Sequence, residues 1–172
     1  MPDRMLCPDP LNCSTIYGEL TIDGWSLHTG AWCAWDLSTL FDDDTPRGDN
    51  VLVETEAGRI ARPLLGDQRD LDLPMMFSGA VDRTGTVWAN PAGGLSANRR
   101  AFRGHMIDPI RTGTATLAAT LTVADPDDPN EDVVLEADVQ PLTLRWTLLP
   151  GGYARAILRL RIPAGVFVEA SP

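Results

Sequence analysis

Three cysteines and two histidines are the side chains of this sequence best suited to chemistry: Cys7, Cys13, Cys33, His28 and His105. Thiolate and imidazole are the common ligands of zinc and the common halves of a nucleophile–base pair. Cys7, Cys13 and His28 are the group to weigh as a metal site. Their spacing matches no zinc pattern, and a fourth ligand is not evident. An odd number of cysteines does not make a disulfide framework, so reduced thiols are the expectation. Carboxylates are plentiful, at Asp42 to Asp44 and from Asp125 to Asp132. A calcium loop needs glycine at its sixth position and glutamate at its twelfth, and the second acidic stretch has neither in place. A glycosidase needs two carboxylates on rigid elements across a cleft; these acids sit among turn residues, as on a solvated surface. Arg47-Gly48-Asp49 matches an integrin-binding triplet, a length that recurs by chance. No nucleophile elbow, phosphate loop or metalloprotease helix motif occurs. The reading is a protein that is not an enzyme, with no cofactor and no resident metal.

The chain has 172 residues, a net charge of −10 and a hydrophobic content of 44%. That suits one domain with arms and a real core. No apolar run approaches the ~20 residues of a membrane span. The first residues, Met1 to Asn12, lack the apolar stretch of a secretory signal. The acidic balance argues against gripping nucleic acid, which needs a basic face to release counterions. All 14 basic residues are arginine, as a GC-rich genome favours.

The elements that must carry these side chains are mostly strands. Met1 to Gly18 reads as an arm, 19–165 as the domain and 166–172 as a tail. Glu19–Ile22 and Trp25–His28 make a hairpin around Asp23-Gly24. Ala31 to Leu40 is a strand and a turn. Val51–Val53 and Arg59–Pro63 are short strands. Leu71–Ala80 is a strand whose Pro74 argues for an edge or a bulge. Later segments alternate cleanly. From Thr114 to Val123, Ala115, Leu117, Ala119, Leu121 and Val123 oppose Thr114, Thr116, Ala118, Thr120 and Thr122. Val133 to Val139, Leu142 to Leu148 and Ala154 to Ile162 repeat the pattern. Four successive strands with one apolar face each predict an antiparallel sheet packed on one side. The one helix expected, over about 91–107, opens with Asn90 as cap and Pro91 at its first position. Leu95, Phe102 and Met106 share a face, with Asn98 and Ala101 beside them. Arg99, Arg100 and Arg103 take the other side. Three glycines, Gly93, Gly94 and Gly104, each cost it roughly 1 kcal/mol against alanine, so it must lie on the sheet. Trp25, Trp32, Trp35, Trp88 and Trp146 sit mostly in apolar patterns and are expected in the core. The expected fold is mainly β, an antiparallel β-barrel or sandwich with one flanking α-helix.

The order of several short segments resembles the distal tail proteins, often called minor tail proteins, of long-tailed phages (siphoviruses) infecting actinobacteria. The residues are Leu20-Thr21-Ile22-Asp23-Gly24, then Trp32 and Asp36-Leu37. Arg47-Gly48-Asp49-Asn50-Val51-Leu52 and Gly58-Arg59-Ile60-Ala61 follow. Next come Leu73-Pro74-Met75, Ser78-Gly79 and an Asp-x-x-Gly turn from Asp82 to Gly85. Pro91, Gly94-Leu95 and Asn98 stand in the helix, and Ile162-Pro163-Ala164-Gly165 closes the match. Val53-Glu54-Thr55-Glu56 departs from the family, which often has Pro-Gly there. The arm before Glu19 has no counterpart. The resemblance implies a tail-tube-like barrel that closes, with copies of itself, into a hexameric ring at the tail tip of a virion. Such a ring joins the tail-tube protein to the tip hub or host-recognition proteins and lets DNA pass without binding it. Assembly would take place in the host cytoplasm, without membrane insertion. A tube protein of a phage-like particle and a carbohydrate-binding β-sandwich are the alternatives.

Within a ring, an acidic wall repels DNA and a basic wall captures it. Glu136 and Asp138, on the polar face of a strand, are the candidates to line the lumen. Arg155, Arg159 and Arg161 should then point away, toward a neighbouring subunit.

Overall fold

The computed structural model describes residues 19–40, 52–55, 58–61, 68–113, 117–124, 127–128 and 131–170. The expectations for the arm over 1–18, for Asp42–Asp44 and for Arg47–Asp49 lie outside those residues, as does much of the acidic loop from Asp125.

Ten strands and two helices follow in the order β1 (Leu20–Ile22), β2 (Trp25–Ser26), β3 (Trp32–Ala34), β4 (Leu52–Thr55), β5 (Gly58–Ala61), β6 (Arg69–Ser78), α1 (Pro91–Met106), α2 (Asp108–Arg111), β7 (Leu117–Ala124), β8 (Asp132–Leu149), β9 (Tyr153–Ile162) and β10 (Val168–Glu169). β4 and β5 pair with each other as a separate hairpin. The rest form one antiparallel curled sheet in the order β2-β1-β7-β8-β9-β6-β3, with β10 beside β8. The result is half a barrel with few helices, in agreement with the mainly β expectation. Its two ends meet at a corner. Leu27 donates to the Leu20 carbonyl of β1 and its own carbonyl accepts from Ala34 of β3, and His28 bridges Cys33.

Local sequence explains the turns. Asp23 and Gly24 have φ of 49° and 73°, the left-handed pair that a two-residue hairpin of this twist requires. Pro74 lies inside β6 rather than at a sheet edge. β3 ends at Ala34, opposite Met75, and the Pro74 carbonyl takes the Trp35 N–H at 3.1 Å. Its missing donor therefore points just past the end of β3, where no ladder bond is lost.

One expected boundary is absent. The segments Val133–Val139 and Leu142–Leu148 are a single strand, β8. Its apolar positions shift phase by one residue at Pro141, and the pairing with β9 is irregular between Pro141 and Thr143. A β-bulge absorbs such a shift without ending the strand. The expected tail from Val166 also carries pairing, since Val168 faces Glu136 across β10 and β8.

The apolar faces of the strands enclose the core. Leu20, Ile22, Leu71, Leu73, Met75, Phe77, Leu117, Leu121, Val139, Leu158 and Leu160 are among its buried members. Its aromatic centre is Trp32, Phe77 and Phe102, with ring centroids 5.2 Å apart for Trp32–Phe102 and 5.1 Å for Phe77–Phe102, both edge-on. That is the preferred geometry of aromatic pairs. Trp25, half-buried, is packed between His105 at 3.6 Å and Arg83 at 4.2 Å; two groups that close cannot share one ring face.

Helix α1 closes the open side. Asn90 caps it, accepting from Ala92 and Gly93. Leu95, Asn98, Phe102 and Met106 are buried as expected, along with Gly94, whereas Ala101 is exposed. Asn98 is the polar exception in that face. Its amide donates to the carbonyls of Ser78 and Val81, each at 2.7 Å. Close approach makes those bonds possible. A Cβ on Gly79 would stand 1.8 Å from the Pro91 carbonyl oxygen, and one on Gly94 would stand 2.3 Å from the Gly79 carbonyl oxygen. The helix stops at Met106, and Pro109 stands in the first turn of α2.

These contacts separate the two sides of α1. Phe102→Ala should lower unfolding free energy by about 3–5 kcal/mol, the range for a buried aromatic. Arg100→Ala, on the exposed side, should stay within roughly 0.5 kcal/mol. Urea denaturation of both variants checks the assignment; equal shifts would contradict it.

Candidate interaction surface

The face of the sheet turned away from the core follows from alternation along β6, β8 and β9. Cross-strand register sets its side chains in rows. Asp70, Arg161 and Gln140 form one row, and Asp72, Arg159 and Thr143 the next. Pro74, Ile157 and Arg145 follow, with Trp35 beside Pro74. Met76, Arg155 and Thr147 come after, with Cys33 paired to Met76.

Two of the arginines named from sequence are thus engaged within the chain itself. Arg159 donates to both carboxylate oxygens of Asp72, at 2.6 and 2.5 Å. Arg161 does the same to Asp70, at 2.7 and 3.0 Å. Such forked pairs are the strongest geometry for this chemistry. The Arg159 bonds hold the Asp72 carboxyl below its usual pKa, against a smaller opposing effect of burial. Both guanidinium groups are pushed further up by their carboxylate partners. Exposure screens these pairs, so their main effect is to fix the strand register and cancel charge. Arg155 is exposed.

Glu136 and Asp138 are exposed on the first half of β8, facing Thr120 and Ala118 of β7. As lumen candidates they are expected to face a channel from which Arg155, Arg159 and Arg161 point away. In the structure Arg161 faces Gln140, two residues on from Asp138 in the same alternation, so the acids and the arginines share the outer face. The physical reason is the register, which sets the β9 arginines beside the even-numbered residues of the first half of β8. Leu95, Phe102 and Met106 lie where expected, under α1.

β8 also leaves an edge. β9 and then β10 run along one side of it, and β7 pairs with its other side only from Asp132 to Val139. Among the described residues no strand pairs with that second side between Thr143 and Leu149. An unpaired edge is a template for another chain, and lysine is the usual deterrent; this stretch carries one arginine, Arg145, and no lysine. Leu148 at its end is 65% exposed.

Three outcomes were not readable from sequence. Trp35 and Trp88 are exposed at 44% and 37%, so they are not core residues. Trp35 stands past the end of β3, and Trp88 lies over Gly94 of the helix. Arg99 lies over the Trp146 ring at 4.5 Å, a cation–π contact that shields a half-buried indole. Finally, Cys33 is disulfide-bonded rather than a reduced thiol. Cys7 and Cys13, the other two cysteines, lie outside the described residues.

Among the described residues no group of His, Cys, Asp or Glu could hold a metal ion, and no helix is long and apolar enough to cross a membrane. Compared with protein-family models, curated proteins and solved structures, the chain matches none.

His28 gives this surface a pH signature. Its Nε2 lies 3.0 Å from the Ala34 carbonyl. Burial lowers its pKa below 6.5, against smaller upward effects of that carbonyl and of Glu19. The unfolded chain then binds a proton that the folded chain refuses, so stability rises with pH in that interval. Melting temperature should hold steady above about pH 6.5 and fall as pH drops below it. His28→Gln should flatten that fall. Scanning calorimetry between neutral and mildly acidic pH checks it; an unchanged slope in the variant would contradict the assignment.

Proposed function

We propose that this protein is a structural ring component of a phage tail tip, a distal tail protein that joins the tail tube to the tip proteins. The observation that carries the reading is the unpaired edge of β8 from Thr143 to Leu149 on a curled antiparallel sheet. A heterologous contact, edge to a different surface of the next copy, generates a ring when the rotation closes. The ordered resemblance from Glu19 to Gly165 supports the same reading. So does the outer face, where forked ion pairs cancel part of the arginine charge and leave a chain of net charge −10. A channel for DNA needs a wall that does not hold phosphates. We assign that wall to the half of the outer face carrying Glu136 and Asp138.

A second reading, a carbohydrate-binding sheet, draws support from Trp35, which is 44% exposed and whose backbone N–H bonds to the Pro74 carbonyl on the outer face. Solution mass and negative-stain images of the purified chain at micromolar concentration separate the two. The tail reading expects a closed ring that does not stack indefinitely, as a tube protein would. A strictly monomeric species, alone and with tail partners, would contradict it; a monomer that a glycan array shows binding sugar would favour the second. Replacing Glu136 and Asp138 with arginine should slow DNA delivery by fully assembled particles. Normal delivery would remove the lumen assignment.

A further inference from the structure

We propose that Arg99 is the anchor of the open β8 edge, where it takes a side-chain carboxylate from an extended segment of the neighbouring copy. The proposal rests on the tail-ring reading and names the chemistry of its contact.

Arg99 differs from the other arginines of the described elements. Arg103, Arg159 and Arg161 each hold a carboxylate of their own chain. Arg69 donates to the Thr39 carbonyl. Arg83, Arg100, Arg111, Arg145 and Arg155 are exposed, so water can serve them. Arg99 is half-buried, and its guanidinium lies 4.5 Å from the centre of the Trp146 ring. Its Nε is buried with no hydrogen-bond partner. That buried nitrogen fixes the side chain on the indole, while the two terminal nitrogens stay open to solvent. No acceptor among the described residues bonds them. A guanidinium carries five N–H donors and no acceptor. A carboxylate that meets two of those donors in a fork is its strongest complement.

The strand sets where such a carboxylate must come from. Leu144 pairs with Leu158, Trp146 with Ala156 and Leu148 with Ala154. All three β9 partners are buried, so alternation puts Leu144, Trp146 and Leu148 in one row on the core face. Arg99 lies over the middle of that row. Arg145 carries a second positive charge on the other face at the same level. The row runs along the side of β8 that no described strand pairs, and Leu148 is 65% exposed.

A strand laid on this edge sets every second side chain about 5 Å from the row. The side chain that meets Trp146 also meets Arg99. Those two residues to either side of it meet Leu144 and Leu148. The complement is therefore an acid with an apolar residue two positions before and after it. A second copy is rich in acids, with 24 Asp and Glu against 14 basic residues. Arginines on both faces of the edge are what receive them.

The sequence contains no lysine, which makes the test specific. Arg99→Lys keeps the charge and introduces a single side-chain amine. A carbodiimide joins that amine to a touching carboxylate as an amide. Rings assembled from isotope-labelled and unlabelled copies of this variant should yield, after cross-linking and digestion, mixed-isotope peptide pairs joining residue 99 to an Asp or Glu. Pairs from one chain only, or none in assembled rings, would overturn the proposal. Arg99→Glu, with its circular dichroism unchanged, should raise the dissociation constant of the ring by about tenfold or more, because like charges then meet at the contact. Rings as tight as those of the unmodified chain would remove the anchor and leave the ring reading standing. An unmodified chain that never assembles would remove both.

Discussion

The amide of Asn98 holds this fold at its most constrained point. One side chain donates to two backbone carbonyls, at Ser78 where β6 ends and at Val81 in the turn beyond. A buried polar group left unpaired costs about 1–3 kcal/mol, so the helix cannot slide or rotate without leaving the amide unpaired. Gly79 and Gly94 let the backbones meet there, and Gly152 lies against Pro91 in the same way. With α1 fixed, Phe102 meets Trp32 and Phe77, and the open side of the half-barrel is sealed by aromatic packing. The helix thereby frees the outer face of β6, β8 and β9 from structural duty, and that face is where charge and exposed apolar groups collect.

The sheet was largely legible in the residues, because period-two alternation survives wherever one face is buried. Leu117 to Val123 and Ala154 to Ile162 read correctly for that reason. The same rule misread β8 as two strands. Its apolar phase slips at Pro141, and a bulge inside one strand leaves the same trace as a gap between two. Pro74 was misplaced by a related ambiguity: proline marks a lost donor, but only the fold shows that β3 ends where the donor would point. The face of α1 was legible from Leu95, Phe102 and Met106, while the two bonds of Asn98 were not, since their acceptors lie 17 and 20 residues away. The disulfide of Cys33 escaped because an odd cysteine count hides a single pair. Alternation assigns Glu136, Asp138 and the arginines to a face of the sheet, and register puts them on the same one; which part of that face would line a channel is not written in the alternation.

This fold has one unusual liability: among the described residues, the edge of β8 from Thr143 to Leu149 is unpaired and carries no lysine. A monomeric protein would blunt it. In the proposed ring each neighbour would bury this edge in turn, and the apolar Leu148 at its end with it. The forked pairs Asp72–Arg159 and Asp70–Arg161 stiffen the strands behind that edge, so that it is presented in a fixed register. Assembly, on this account, extends the sheet from one subunit into the next.

Amide hydrogen exchange across β8 tests this most directly, compared between dilute single subunits and the assembled form. Amides of Thr143 to Leu149 that point to β9 should be protected in both states. Those that point to the open side should exchange rapidly in the single subunit and become protected on assembly. If the open-side amides exchange equally fast in both states, the edge is not the contact that builds the ring.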